Sequence, residues 1–192
     1  HVAKHARRTV NPPDDTWVAF AADKRGYKQH CHFKVAVSRG AVRFLFEAGP
    51  EHADKKRWVA AWKRDAPKVV PVLRRAKGLA WFKNEHDEEP AVALSDMTPE
   101  ALGEMADEIV RTRDGQLVLG RVVSAEEAAR WTEAQYREAA LVGVPVITTD
   151  ATGRVSGVST ATIVPGSIGS VAASALVGNL TGTPPLSDQL KN

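Results

Sequence analysis

The sequence predicts an α+β fold: an antiparallel sheet with helices packed mainly on one face, followed by a Gly/Thr/Ser-rich, β-prone tail. Three observations predict it. Phe33, Val35 and Val37 alternate with Lys34, Ala36 and Ser38, and after Arg39 and Gly40 the alternation resumes at Val42, Phe44 and Phe46, which is a hairpin pattern. From residue 51 the apolar spacing changes to threes and fours, with Trp58, Ala61 and Trp62 on one helical face. After Val142 the aromatic residues stop, and residues 143–192 carry four charged side chains and seven of the 14 glycines.

In chain order, residues 2–8 and 17–21 read as extended arms around Asn11-Pro12-Pro13-Asp14-Asp15, because proline pushes the residue before it away from the helical region. Gly26 closes a second turn, where it is suited to positive φ. With the hairpin, residues 2–47 give four antiparallel strands in series. A helix follows over residues 51–65 and ends or kinks at Pro67, and a second runs over 69–77 with Pro71 early in it. Residues 79–82 form a short strand, and the acidic run 85–89 reads as a solvated loop. Thr98 and Pro99 supply an N-cap and a first-turn proline for a helix with Leu102, Met105, Ile109 and Val110 as its apolar stripe. Residues 117–123 are a strand, and Ser124 with Glu127 is a capping box opening a helix to about residue 140. The chain divides into a domain over 1–142 and a tail over 143–192. That tail cannot build a core alone, so it is disordered, drapes over the domain or pairs with other chains, with short β segments around residues 150–153.

Composition bounds the function. The chain of 192 residues is 43% hydrophobic and 26% charged, as a globular protein is. A single cysteine, Cys31, excludes an internal disulfide framework. No run of 18 apolar residues predicts a membrane span, and no apolar h-region marks a signal peptide. The net charge of +3 is small, but residues 1–34 hold seven Lys/Arg against three Asp, and the rest of the chain is close to neutral in sum.

Those 34 residues also hold four of the six histidines, His1, His5, His30 and His32. Folded back at the prolines, the two arms bring Lys4, His5, Arg7 and Arg8 towards Lys24, Arg25, Lys28 and His32, a basic surface suited to phosphate. Trp17 and Tyr27 add stacking, and Asn11 adds a polar contact. The expected partner is a phosphate-bearing ligand, nucleic acid first. The bland alternative is a solvated face whose cations pair with Asp14, Asp15 and Asp23. An enzymatic alternative is a phosphoester hydrolase using His5 or His32 as acid or base, with Arg8 stabilising developing charge. No metal is assigned, because the histidines lack diagnostic spacing, and no Walker loop, dinucleotide fingerprint or Gly-x-Ser-x-Gly element implies a cofactor. Cys31 alternates away from His30 and His32 and reads as structural, as do Trp58 and Trp62.

The run HVAKHARRTVNPPDDTWVAFAADKRGYK, closely followed by His32 and Phe33, resembles the YktB-like family of uncharacterised bacterial proteins. The resemblance is specific over residues 1–33 and collinear to about residue 140, taking in Leu94-Ser95-Asp96 and residues 122–128. It implies a compact cytoplasmic α+β domain and no particular activity. Two departures stand out: the family carries a mostly helical segment before this point, and Cys31 and Lys34 stand where the family pattern has Pro and Gln. Residues 146–157 are similar, over simple composition, to β-turn repeats of phage tail fibres. That gives a third alternative, a fibre component and homo-oligomer assembling through residues 143–192.

Overall fold

The computed structural model describes residues 3, 13–21, 26–140, 143–149 and 154–162. Six strands form one antiparallel sheet: β1 (Asp15–Ala21), β2 (Cys31–Ser38), β3 (Ala41–Ala48), β4 (Ala80–Phe82), β5 (Val92–Ala93) and β6 (Leu117–Ser124). Their spatial order is β1-β2-β3-β6-β4-β5. The helices are α1 (Lys55–Arg64), α2 (Ala66–Leu73), α3 (Pro99–Arg111), α4 (Ala125–Ala128) and α5 (Glu133–Ala140). The fold is α+β, as the alternation and the capped helices predict.

The expected hairpin is present, with Phe33 opposite Phe46 and Val35 opposite Phe44. These residues face the helices and join Trp58, Trp62, Trp81, Leu102, Met105 and Ile109 in one core. Burying each large apolar side chain contributes about 1.5–3 kcal/mol, and the two helical tryptophans are core residues, 3% and 9% exposed. Cys31 is also in this core, and burial pushes its thiol pKa up. Gly26 adopts φ 66°, as its turn requires. Of the arm expected over residues 2–8, only Ala3 lies within the described residues. Its amide donates to the Trp17 carbonyl at 2.9 Å, on β1.

Elsewhere the boundaries differ for identifiable reasons. The first helix begins at Lys55 rather than near residue 51, after a turn in which His52 N donates to Gly49 O. Pro67 does not precede the second helix but sits in its first turn, where a missing N–H costs nothing. Thr98 caps α3 by accepting from Ala101 N, and Ser124 caps α4 by accepting from Glu127 N. The helix expected from Ser124 to about residue 140 is broken. Thr132 and Gln135 form a second capping box, Thr132 N donating to Gln135 Oε1 at 2.8 Å and Gln135 N to Thr132 Oγ1 at 3.4 Å, and this restarts the chain as α5. The Tyr136 hydroxyl holds the break by donating to the Ala128 carbonyl.

Within the tail, β7 (Gly143–Thr149) pairs antiparallel with β8 (Val155–Thr162), and these strands lie against α2; the turn expected around residues 150–153 lies outside the described residues. Residues 163–192, on which the assembly expectation also depends, lie outside the described residues.

Gly120 on β6 lies against the β3 backbone, where an added Cβ would stand 2.3 Å from the Phe44 carbonyl oxygen. Gly120→Ala should therefore destabilise the protein by about 1–3 kcal/mol, as overpacking does. A urea midpoint equal to that of the wild type would show that the β3–β6 approach is looser than this.

Candidate functional site

The second face of the sheet is polar and yet buried. Cross-strand register puts Asp15, Trp17 and Ala19 of β1 beside Ser38, Ala36 and Lys34 of β2, and sets His32 and Ala36 of β2 opposite Glu47 and Arg43 of β3. His32, Lys34, Arg43 and Glu47 are each only 2–3% exposed. A charge so far from water must be paired, and these are.

The His32 Nε2 atom is 3.0 Å from Glu47 Oε2, and its Nδ1 atom is 3.0 Å from the His30 carbonyl. Both ring nitrogens therefore lie at hydrogen-bond distance from oxygen atoms, which hold the ring from two sides. Lys34 Nζ lies 3.6 Å from Glu47 Oε1 and also binds Glu85. Burial pushes the Lys34 pKa down, and the Glu47 and Asp15 carboxylates oppose that shift. Arg43 reaches across β2 at the small residue Ala36. One of its terminal nitrogens meets Asp15 Oδ2 at 2.5 Å, and the other donates to the His86 carbonyl at 2.7 Å. His86 Nδ1 stands 3.1 Å from the same Asp15 oxygen. Arg43 Nε and Glu47 Oε1 are buried without a hydrogen-bond partner.

The acidic run after β4 makes four contacts with this face, one of them the His86 ring on Asp15. Glu85 meets Lys34, the His86 backbone meets Arg43, and Glu88 accepts from Ser38 Oγ at 2.6 Å. The run is exposed at His86, Glu88 and Glu89, as a solvated loop is, and it also lays a charged cover on the sheet.

At the outer end of this face Trp17 and Tyr27 pack at 5.4 Å between ring centroids, and Tyr27 meets His32 edge-on at 4.9 Å. Lys34 Nζ lies 5.5 Å from the Trp17 ring centroid. Burial, with Glu47 and Glu51 nearby, pushes the Tyr27 phenol up. Both rings are half-buried, and Lys28 beside them is exposed.

The structure thus brings Trp17, Tyr27 and His32 together and leaves Lys28 at their edge. The expectation of His32 on an open basic surface is corrected: its ring is inside the sheet layer, held by Glu47. Lys4, His5, Arg7, Arg8, Asn11, Lys24 and Arg25 lie outside the described residues. Among the described residues, no three His, Cys, Asp or Glu side chains gather in a way that could hold a metal ion. The sequence pattern does not single out Arg43, Glu47, Glu85 or His86. Arg43 and Glu47 occupy the polar positions of an alternating strand, which ordinarily face water, and the cover that buries them has no periodicity to announce it.

Comparison with known proteins adds a lineage. The model of the family described as "Domain of unknown function (DUF1054)" matches residues 1–143. A UPF0637 protein of Macrococcus caseolyticus is 31% identical over 136 residues, 71% of this chain and 65% of the relative. One from Bacillus licheniformis is 31% identical over 71% of this chain and 63% of its own length. One from Staphylococcus haemolyticus is 33% identical over 67% and 61% respectively. The chain therefore spans less than two thirds of the length of these relatives. The family match ends at residue 143, and the fibre-repeat resemblance of residues 146–157 gains no support from it.

The buried ionisable groups generate two expectations. Arg43→Met takes the guanidinium from the Asp15 carboxylate, leaving the His86 ring beside it, and should cost about 3–5 kcal/mol in urea unfolding, while Arg43→Met/Asp15→Leu should recover much of it. Equal losses in the single and double variants would mean the pair is not coupled. The second concerns His52, packed against Trp58 with ring centroids 4.3 Å apart, whose pKa burial lowers from 6.5 to about 4. Below pH 6.5 the unfolded chain takes a proton that the folded chain refuses, so this contribution to stability is lost as pH falls from about 6.5 towards 4. His52→Phe should flatten the drop in urea midpoint between pH 7 and pH 5, and an unchanged drop would remove His52 as its source.

Proposed function

Because the chain belongs to the DUF1054 family, the YktB-like family that its first 33 residues resemble, and that description names no activity, we propose from the site itself that this is a cytoplasmic binding protein for a phosphate-bearing ligand. Single-stranded nucleic acid is the favoured ligand, held at the outer edge of β1. The observation that carries the reading is the hydrogen bond from Ala3 N to the Trp17 carbonyl. It ties the arm at Ala3 to the strand that bears Trp17, and Lys4, His5, Arg7 and Arg8 follow Ala3 in the chain. Trp17, Tyr27 and the exposed Lys28 lie along the same edge, so cations for phosphate and aromatic surface for bases occur together. Lys24 and Arg25 follow β1 in the sequence and extend the basic character of the stretch, and Asn11 precedes it. Among the described residues, no helix is long and apolar enough to cross a membrane.

Hydrolysis through His32 has less support. Both of its ring nitrogens are occupied, and the residue is 2% exposed. A substrate would first have to break the bond to Glu47.

Fluorescence anisotropy with labelled single-stranded RNA and DNA, titrated from about 50 to 200 mM salt, tests the reading. Binding should weaken with salt, and Arg7→Ala/Arg8→Ala should flatten the logarithmic slope by about 1.4, two phosphates at about 0.7 each. Trp17→Ala should weaken binding by about 1–3 kcal/mol by removing a stacking platform. Absence of binding at the lowest salt concentration would rule the proposal out.

A further inference from the structure

The near-neutral sum of residues 35–192 conceals a strong segregation of charge. Residues 55–77, which make α1, α2 and the turn after them, hold nine Lys/Arg and a single acid, Asp65. Eight of those nine cations are exposed, only Lys55 being buried. The acids that cancel them in the sum lie elsewhere in the chain, many of them in residues 85–114.

The cations are also ordered. On α1, Lys56 and Lys63 are seven residues apart, as are Arg57 and Arg64, and seven residues is close to two helical turns, about 10 Å. All four therefore lie on the side away from Trp58, Val59 and Trp62, which are buried. Lys68 and Arg75 repeat the spacing on α2 and its end, with Arg74 and Lys77 beside them. Several of the contacts to these cations are exposed or long. Lys63 pairs with Asp107 in an exposed contact, and Arg57 reaches Asp54 only at 3.9 Å. Arg64 bonds Asp65 at 3.0 Å, and Arg74 Nε donates to the Met97 carbonyl. Among the described residues, Lys56, Arg75 and Lys77 have no ion pair. The exposed Lys63 and Arg57 pairs are worth about 0–1 kcal/mol each and yield to a stronger anion.

We infer that the exposed face of α1 and α2 is a docking surface for the phosphate backbone of double-stranded nucleic acid. A duplex carries one charge per about 1.7 Å of axis, a density that a row of Lys and Arg side chains matches. The aromatic residues of α1 point into the core, so this face offers no platform for unstacked bases and meets phosphates without reading sequence. A membrane-binding helix needs its apolar side available for lipid, and here that side is spent on the protein core. The surface is separate in sequence from the β1 edge and stands independently of it.

The test uses the full 192-residue chain and a labelled short DNA duplex of arbitrary sequence, with anisotropy read between about 50 and 200 mM salt. Lys56→Ala/Arg75→Ala/Lys77→Ala removes exposed side chains only, and circular dichroism checks that the fold is kept. The triple variant should lose affinity at least tenfold at low salt. Its logarithmic salt slope should flatten by about 2–3, close to 0.9 for each phosphate no longer neutralised. Arg7→Ala/Arg8→Ala should leave the duplex slope unchanged while altering single-strand binding. An unchanged slope and affinity in the triple variant would overturn the inference, as would loss of duplex binding in the arginine variant alone, which would leave only the β1 edge. Binding to phosphatidylserine vesicles with no duplex binding at any salt would overturn it too.

Discussion

Strand β3 has no side left for water. It lies between β2 and β6, and all eight of its residues are buried. A strand sends alternate side chains to opposite faces, so Val42, Phe44 and Phe46 go to the helices while Arg43, Leu45 and Glu47 go the other way. The apolar side needs only volume. The other side needs counter-charges at fixed positions, and much of the remaining structure supplies them: Asp15 from β1, His32 and Lys34 from β2, and Glu85 with the His86 backbone from the segment after β4. Register is part of the same constraint. Sliding β2 by one residue would turn His32 and Lys34 into the apolar core and Phe33 out of it.

Charge in this protein is divided between two settings with different physics. The cations of the sheet are satisfied internally, where removing a partner is expensive and salt has little access. The cations of α1 and α2 other than Lys55 stand in water, where their field reaches outward. Net charge alone, +3 over the chain, describes neither population.

Much of the fold is legible in the sequence because it rests on local rules. Alternation marks the β2–β3 hairpin, and Thr98 with Pro99 and Ser124 with Glu127 mark two helix starts. Thr132 with Gln135 obeys the same capping rule but falls inside a stretch that already reads as helix, so the break before α5 is concealed. Strand β5 is two residues long and has no pattern to detect. The site is less legible. Trp17 and Tyr27 pack against one another, and His32 reads as a surface group because nothing in residues 85–89 says that an acidic run will fold onto the sheet. The basic helices are hidden for a simpler reason: their charge is summed with distant acids.

The position of β6 has a consequence for how the chain assembles. Strands β1, β2 and β3 follow one another and close through short connections, but the partner for the other edge of β3 is residues 117–124, nearly seventy residues further on. Closing so long a loop comes late and costs entropy before any pairing repays it. A nascent chain therefore exposes the β3 edge, with Phe44 and Phe46 alongside, until β6 has left the ribosome. During that interval an unpaired apolar edge is open to the wrong neighbour. The strand most completely enclosed in the finished protein is the one left longest unguarded while it is being made.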